Sequence, residues 1–232
     1  MLRGEERTRD LLAELIRGTV DDTVRRQLRR RAQEPSITSK IAYALETQLN
    51  GFEINGYVVT VVSQEFPDRG PGSLEKQSGA DLYIGIRVDS PWQPIPIAKG
   101  MLIQAKKVRP IGKVHMRGTD SEQAATKQHG ALLDQCAKMR ERSEKGSFVW
   151  VYGPDGTGVV PASEVLDRSV FAPESLASRD VGQQFRDILD CFSGDPGLIA
   201  SDIFEDDEAL GDYLREIAVQ RGVAINVARP EV

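Results

Sequence analysis

Four short runs of apolar and β-branched residues, separated by longer helical patterns, constrain the fold of this chain more than any other feature. The runs lie at residues 57–62, 81–88, 97–108 and 148–152. A helical pattern precedes the first run, and another at about 120–143 separates the third run from the fourth. Strands and helices in this arrangement favour an α/β protein in which helices cover a mixed sheet. The predicted order is helix, three strands, helix, strand.

Helical patterns also flank this region on both sides. Residues 5–32 carry regularly spaced apolar side chains without a proline, although Gly18 could bend or divide the segment. Two more helices are predicted near 180–193 and 207–221, and the tail at 222–227 could add an edge strand. We therefore expect three segments: an N-terminal helical arm (1–33), a core (34–159), and an acidic, mainly helical C-terminal extension packed on the core (160–232).

Charge is distributed unevenly along the 232 residues, whose net charge is −5. Residues 1–120 carry 19 basic and 15 acidic side chains, whereas residues 160–232 carry 6 and 15. A polyanion would therefore be attracted to the first half and repelled by the tail, unless the asymmetry is incidental. The most basic stretch, Arg25–Arg31, is either a solvated helix face paired with Asp21 and Asp22 or an arm that contacts phosphates.

Composition excludes several classes of protein. No run of 18 or more apolar residues is present, and residues 1–6 lack the apolar core of a signal peptide. We therefore expect a cytoplasmic protein with no membrane partner. Cys136 and Cys191 lie in apolar, helix-like surroundings outside any CxxC motif, which predicts two buried free thiols. With only two histidines, His115 and His129, a histidine-rich zinc site is not expected.

Three polar residues stand where the second and third apolar runs would meet. Asp81 opens the second run, and Gln104 and Lys106 lie within the third, two residues apart and so on one face of a strand. If the runs pair as a hairpin, a carboxylate, an amide oxygen and an ammonium meet at one edge of the sheet. Such a group can hold a hard divalent cation and activate water, which indicates phosphodiester hydrolysis. The structural alternatives are a turn cap for Asp81 and a solvated edge strand for the other two.

A second carboxylate is expected from the helix that precedes the first strand. That helix begins near Pro35 and Ser36, and its apolar stripe includes Ile37. At 100° per residue, Glu34 lies about 60° from Ile37, whereas Glu46 lies about 180° away, towards water. We therefore prefer Glu34 and keep Glu46 in reserve. Two further candidates, one on the loop before Asp81 and one on the apolar face of the third helix, are Glu75 and Gln135.

These residues resemble the PD-(D/E)XK phosphodiesterase superfamily, which has the restriction-endonuclease-like fold. That family runs α-β-β-β-α-β, and residues 34–152 match this order. Its signature is an aspartate at the start of the second strand and (D/E)-x-K in the third, positions that Asp81, Gln104 and Lys106 occupy here. Glutamine in place of the acidic residue is familiar in the Mrr-like branch, which includes DNA restriction enzymes, although it removes one negative charge from the metal site. The family's first-helix glutamate falls on Glu34.

The resemblance implies a Mg²⁺-dependent DNA endonuclease of restriction or anti-phage type, with Mn²⁺ as an alternative ion. Asp81, Glu34, the Gln104 side-chain oxygen and the backbone carbonyl of Ala105 would bind the metal, and Lys106 would position the attacking water. Four basic residues are expected to contact the phosphate backbone: Arg29, Arg30, Lys107 and Arg109. Because the chain has no recognition motif of its own, a regulatory protein partner or a homo-oligomer is also expected. The rival interpretation is an inactive domain of the same fold that binds nucleic acid or a partner protein.

Overall fold

The computed structural model describes residues 1–2, 4–67, 74–108, 118–168, 175–177 and 179–230, and the side chains of all of these except Glu75 and residues 118–127. The helices are α1 (Glu6–Arg29), α2 (Glu34–Leu49), α3 (Leu74–Ser78), α4 (Gly118–Arg142), α5 (Ala162–Arg168), α6 (Val181–Leu189) and α7 (Asp207–Glu216). The strands are β1 (Phe52–Ile54), β2 (Tyr57–Glu65), β3 (Leu82–Asp89), β4 (Ile97–Lys107), β5 (Ser147–Gly153), β6 (Gly156–Pro161), β7 (Arg179–Asp180) and β8 (Arg221–Ala228).

These strands form one mixed sheet in the order β1-β2-β8-β3-β4-β5-β6-β7. β3 and β4 pair as an antiparallel hairpin, and α4 carries the chain from β4 to β5, which lies parallel to it. β8 runs parallel to β3 and antiparallel to β2. The predicted α/β class, a mixed sheet flanked by helices, is therefore confirmed.

Helices cover both faces of the sheet because alternate strand residues are apolar on each side. On one face, α1, α2 and α6 pack against strand residues such as Ile84 and Trp150. On the other, α4, α5 and α7 pack against residues such as Tyr83 and Val149. Among the described helices none is long and apolar enough to cross a membrane.

The first two helices are built from apolar stripes at a spacing of four residues. In α1, Leu12, Ile16, Val20 and Val24 are all fully buried, and the helix runs through Gly18 without interruption. In α2, Ile37, Ile41, Leu45 and Leu49 form the equivalent stripe. Both stripes face the same core cluster, so residues 6–29 contribute to the core that residues from 34 onwards also form.

The C-terminal strand occupies a different place from the one its sequence suggests. The tail at 222–227 was expected at an edge of the sheet, but β8, which contains it, lies between β2 and β3, near the centre. The apolar run Val223, Ala224, Ile225 is buried on both faces, as a central strand requires. The edge-strand prediction is therefore wrong, since nothing in so short a run shows which strands flank it.

The shorter elements β1, β6, β7, α3 and α5 are not predicted from the sequence.

One cysteine prediction is wrong. Both thiols are free and Cys136 is buried, but Cys191 is exposed. Cys191 follows α6 in a turn with a left-handed backbone (φ 68°), which places its side chain outside the core.

Candidate active site

The β3–β4 hairpin brings Asp81 and Gln104 face to face. Leu82 pairs with Ile103, and the Asp81 amide donates to the Ile103 carbonyl at 2.8 Å, so Asp81 stands opposite Gln104. Tyr83 and Leu102, which have the same alternation phase, belong to the core cluster on the α4 side. Asp81, Gln104 and Lys106 therefore share that face of the sheet.

The Asp81 carboxylate is held by two N–H donors from β4. Its Oδ2 accepts the Gln104 side-chain amide at 2.5 Å and the Ala105 backbone amide at 2.8 Å. Asp81 is only 5% exposed and Gln104 only 1%. The predicted meeting of these two residues is thus a direct, buried hydrogen bond.

The orientation of the Gln104 amide follows from its neighbours. Its Nε2 donates to the Asp81 carboxylate and, at 3.2 Å, to the Ala105 carbonyl, so an oxygen in that place would face two acceptors. The other end of the amide, Oε1, is buried and has no hydrogen-bond partner in the described part of the chain. A buried acceptor without a donor costs about 1–3 kcal/mol. Such an atom is an available ligand for a cation.

Lys106 lies two residues beyond Gln104, half-buried beside α4. Burial raises the pKa of the Cys136 thiol on α4 to about 12, and the positive charge of Lys106 opposes that rise, which places the ammonium near this helix. No carboxylate among the described residues forms an ion pair with Lys106. Its charge is therefore available to an anion that enters the site.

Glu34 approaches the same strand from the first turn of α2. Its Oε1 accepts the backbone amide of Lys107 at 2.9 Å, just past Lys106. Pro35 follows it within the first turn, where a proline is well tolerated because that N–H has no partner within the helix. α2 thus begins beside the end of β4, and its first residue, Glu34, places a carboxylate there.

The Tyr152 hydroxyl lies within electrostatic range of both carboxylates. Burial raises the pKa of its hydroxyl well above the ordinary value, and the hydrogen bond with Thr38 opposes this effect. The charges of Asp81 and Glu34 raise the pKa further, whereas that of Arg221 lowers it. Asp81, Glu34 and Arg221 are therefore all close enough to Tyr152 to influence one hydroxyl.

The reserve candidates have different outcomes. Glu46 accepts the Ser63 hydroxyl at 2.7 Å and lies twelve residues along α2 from Glu34, about 18 Å at the helical rise, so the structure separates it from the site. Gln135 lies close, because its backbone packs against Gly79, two residues before Asp81. The side chain of Glu75 and the whole of Arg109 lie outside the described residues.

Arg221 is a site residue that the sequence analysis missed. It opens β8, is only 2% exposed, and donates through Nη1 to the Asp81 carbonyl at 3.1 Å. Its Nε reaches the Glu65 carboxylate at 3.2 Å. The one available signal was an arginine at the start of a buried apolar run, where a charge needs partners. Its role depends on the central position of β8, which the sequence did not predict.

The predicted phosphate-binding residues lie near the same end of β4. Arg29 and Arg30 are exposed at the end of α1. The Lys107 ammonium donates to the Ala32 carbonyl at 3.1 Å, so it ties β4 to the α1–α2 turn. Lys107 therefore links the end of β4 to the connection between α1 and α2.

The available ligands suit a hard cation in type but are few in number. Asp81, Glu34, the Gln104 oxygen and the Ala105 carbonyl are all oxygen donors, as Mg²⁺ prefers. The described residues contain no group of three or more histidine, cysteine, aspartate or glutamate side chains that could hold a metal. These donors match Mg²⁺ in chemical type, and a Mg²⁺ ion that keeps several of its waters needs few protein ligands.

Comparisons with protein-family models, with curated proteins and with solved structures find no match to this chain. The chemistry of the site is therefore inferred from the residues and contacts described above.

Proposed function

We propose that this chain is a Mg²⁺-dependent DNA endonuclease with a restriction-endonuclease-like core, of restriction or anti-phage type. The observation that carries the proposal is the buried contact between Asp81 and Gln104, with Lys106 on the same face of β4. Glu34 reaches the next residue of that strand from a separate helix. These contacts support the roles that the resemblance assigns to Asp81, Gln104, Lys106 and Glu34.

The order of the elements supports the same proposal. α2 precedes β2, β3 and β4, and α4 then leads into β5, which gives α-β-β-β-α-β once the short elements β1 and α3 are set aside. The antiparallel β3–β4 hairpin and the parallel β4–β5 pair place the motif residues at one end of adjacent strands. The insertion of β8 between β2 and β3 adds to this arrangement without separating β3 from β4.

In this proposal each residue has a separate task. Asp81, Glu34, Gln104 Oε1 and the Ala105 carbonyl would hold Mg²⁺, which would supply Lewis-acid chemistry to the scissile phosphate and to a bound water. Lys106 orients the attacking water and stabilises the negative charge that develops on the phosphate oxygens. Arg221 holds the main chain of Asp81, and so keeps the carboxylate in position without touching the substrate.

A second candidate function is supported by one specific observation. The Gln104 amide nitrogen already donates a hydrogen bond to Asp81 Oδ2, and the glutamine side chain brings no charge of its own. A domain with this arrangement could bind nucleic acid or a partner protein through the same fold without cleaving it. The two functions differ in a single step, the hydrolysis of a phosphodiester bond.

A plasmid-cleavage assay separates them. Supercoiled plasmid would be incubated with the wild-type protein in Mg²⁺, in Mn²⁺ and in EDTA, and with Asp81→Ala in Mg²⁺. The nuclease proposal predicts nicked or linear product with either metal, none in EDTA and none with Asp81→Ala. Retarded migration of uncut plasmid under every condition would support the binding domain instead, and full cleavage by Asp81→Ala would refute the assigned site.

A further inference from the structure

Three consecutive arginines stand exposed where α1 gives way to α2. Arg29 is the last residue of the helix, Arg30 caps it, and Arg31 begins the connection to α2. All three side chains are exposed, and we call Arg29–Arg31 the basic turn. A run of exposed like charges repels itself unless anions lie nearby, so the surrounding acids decide its role.

The two aspartates nearest the end of α1 form ion pairs with other arginines. Asp21 pairs with Arg17 at 3.4 Å and with Arg25 at 3.8 Å, and Asp22 pairs with Arg25 at 3.1 Å. Among the described residues no carboxylate forms an ion pair with any member of the basic turn. Pairing with Asp21 and Asp22 therefore explains Arg25 but not Arg29–Arg31.

The basic turn is fixed beside the candidate active site. The Lys107 ammonium donates to the Ala32 carbonyl at 3.1 Å, directly after the turn. The Lys107 backbone amide donates to Glu34, three residues beyond Arg31. One residue of β4 thus contacts both Ala32, which follows the basic turn, and Glu34, a candidate metal ligand.

Arg31 has an unfavourable backbone for its residue type. Its φ is 56°, in the left-handed region where glycine is tolerated and a residue with a Cβ is strained. The capping bonds, Arg31 to Leu28 at 2.9 Å and Ala32 to Gln27 at 3.1 Å, use backbone atoms and would form equally with glycine. Packing does not explain an arginine here either, because the side chain is exposed.

The helix dipole accounts for part of the basic turn only. Cations near the C-terminus of a helix are stabilising, which favours Arg29 and Arg30. Arg31 lies beyond the last helical residue, in a position that glycine would fill with less strain. Neither packing, nor the backbone conformation, nor the helix dipole therefore accounts for a positive charge at Arg31.

We infer that the basic turn binds the phosphate backbone of a DNA duplex beside the active site, and that Arg31 is kept in a strained conformation for this contact. The identity of the polyanion rests on the proposed function. Guanidinium groups bind phosphate oxygens through paired N–H donors, and such contacts position a duplex without reading its sequence. The turn would therefore give affinity and placement but no sequence preference.

The test combines two measurements on Arg31→Gly. Its thermal midpoint is expected to rise by about 2–4 °C, because glycine relieves the left-handed strain. Its affinity for a fluorescein-labelled DNA duplex, measured in EDTA so that nothing is cut, is expected to fall about three- to tenfold. The slope of log affinity against log salt concentration should become shallower by about 0.9, the value for one lost phosphate contact.

Two control variants separate the inference from simpler effects. Ala218→Gly also relieves a left-handed residue (φ 53°) but changes no charge, so it should leave DNA affinity and salt slope unchanged. Arg7→Gln removes one exposed charge from the other end of α1, about 36 Å away at the helical rise, and should change the affinity much less than Arg31→Gly.

An affinity and salt slope for Arg31→Gly equal to those of the wild type would overturn the inference. So would an equal loss of affinity in Arg7→Gln, since that would make net charge the cause. If the wild-type protein binds the duplex through Arg31 but never cuts it with Mg²⁺, the proposed nuclease function fails while this inference stands.

Discussion

At the scale of single residues, the contact between Gln104 and Asp81 is the feature through which the proposed metal site can be tested. The amide donates to Asp81 Oδ2 at 2.5 Å, and its own oxygen has no partner in the described part of the chain. A neutral side chain in this place lets the site fold without a cation, because Gln104 donates a hydrogen bond to Asp81 where a glutamate would repel it. Glutamine in place of an acidic residue also weakens the attraction of the site for a cation, because this attraction increases with the charge of the ligands.

Gln104→Glu should therefore make folding depend on metal. In EDTA two buried carboxylates would face each other, and we expect the free energy of unfolding to fall by about 1–3 kcal/mol. Excess Mg²⁺ should restore most of that loss, because a ligand that binds only the folded state stabilises it. Urea denaturation with and without Mg²⁺ measures both effects.

Gln184→Glu is the matched control for this variant. Gln184 is also a buried glutamine, 2% exposed, but it contacts Trp150 and Met101 in the cluster on the opposite face of the sheet. This variant should lose stability without any recovery in Mg²⁺. An equal response to Mg²⁺ in both variants would argue against a metal site at Gln104.

Residue spacing allowed part of the site to be predicted. Gln104 and Lys106 share a face because side chains alternate along a strand, and the hairpin register then sets Asp81 opposite Gln104. Helical phase placed Glu34 towards the sheet. Arg221 could not be found in this way, since its contact with Asp81 joins residues 140 positions apart in the chain.

At the scale of elements, the loop before β3 is held in place by α4. Gly79 has a φ of 77°, and a Cβ added there would lie 2.3 Å from the Gln135 carbonyl oxygen, far inside van der Waals contact. Only glycine satisfies both the backbone and the packing at this point. The close approach fixes the chain two residues before Asp81.

Gly79→Ala should destabilise the protein by about 3 kcal/mol or more, because backbone strain and overlap with α4 add together. Gly51→Ala is the control, since Gly51 has a similar φ of 79° and no atom within 4 Å of the added methyl. It should cost only the strain, about 1–2 kcal/mol. Equal losses for the two variants in urea denaturation would show that the contact with α4 contributes nothing.

The longer elements were predictable and the shorter ones were not. The apolar stripes of α1 and α2 and the β-branched run of β2 repeat over several turns or residues, which fixes their type. β1 and β7 have only three and two residues, too few for a period to be recognised. β6 is interrupted by glycine and bounded by proline, so its sequence reads as a loop although pairing with β5 makes it a strand.

At the scale of the whole molecule, the C-terminal strand completes the sheet. β8 pairs with β2 on one side and β3 on the other, and it carries Arg221 to the candidate site. The sequence could indicate a strand there but not its neighbours, because these are set by pairing between residues far apart in the chain. The tail is therefore a central part of the fold.

Removal of β8 should consequently abolish folding. A chain that ends at Gln220 loses the strand between β2 and β3, and we expect it to show no cooperative thermal transition by circular dichroism. A chain that ends at Ala228 keeps β8 complete and should unfold like the full-length protein. Cooperative unfolding of the shorter chain near the wild-type midpoint would contradict a structural role for this strand.

The central claim is that the group around Asp81, Gln104 and Lys106 hydrolyses phosphodiester bonds. The most direct test is the single-turnover rate of duplex cleavage in Mg²⁺ by the wild type, Lys106→Ala and Lys99→Ala. Lys99 lies on the same strand, about 23 Å from Lys106 at the strand rise, and donates to the Ser193 carbonyl. We predict a loss of about 10²–10³-fold for Lys106→Ala and a near wild-type rate for Lys99→Ala. Equal rates for the two lysine variants would contradict the account.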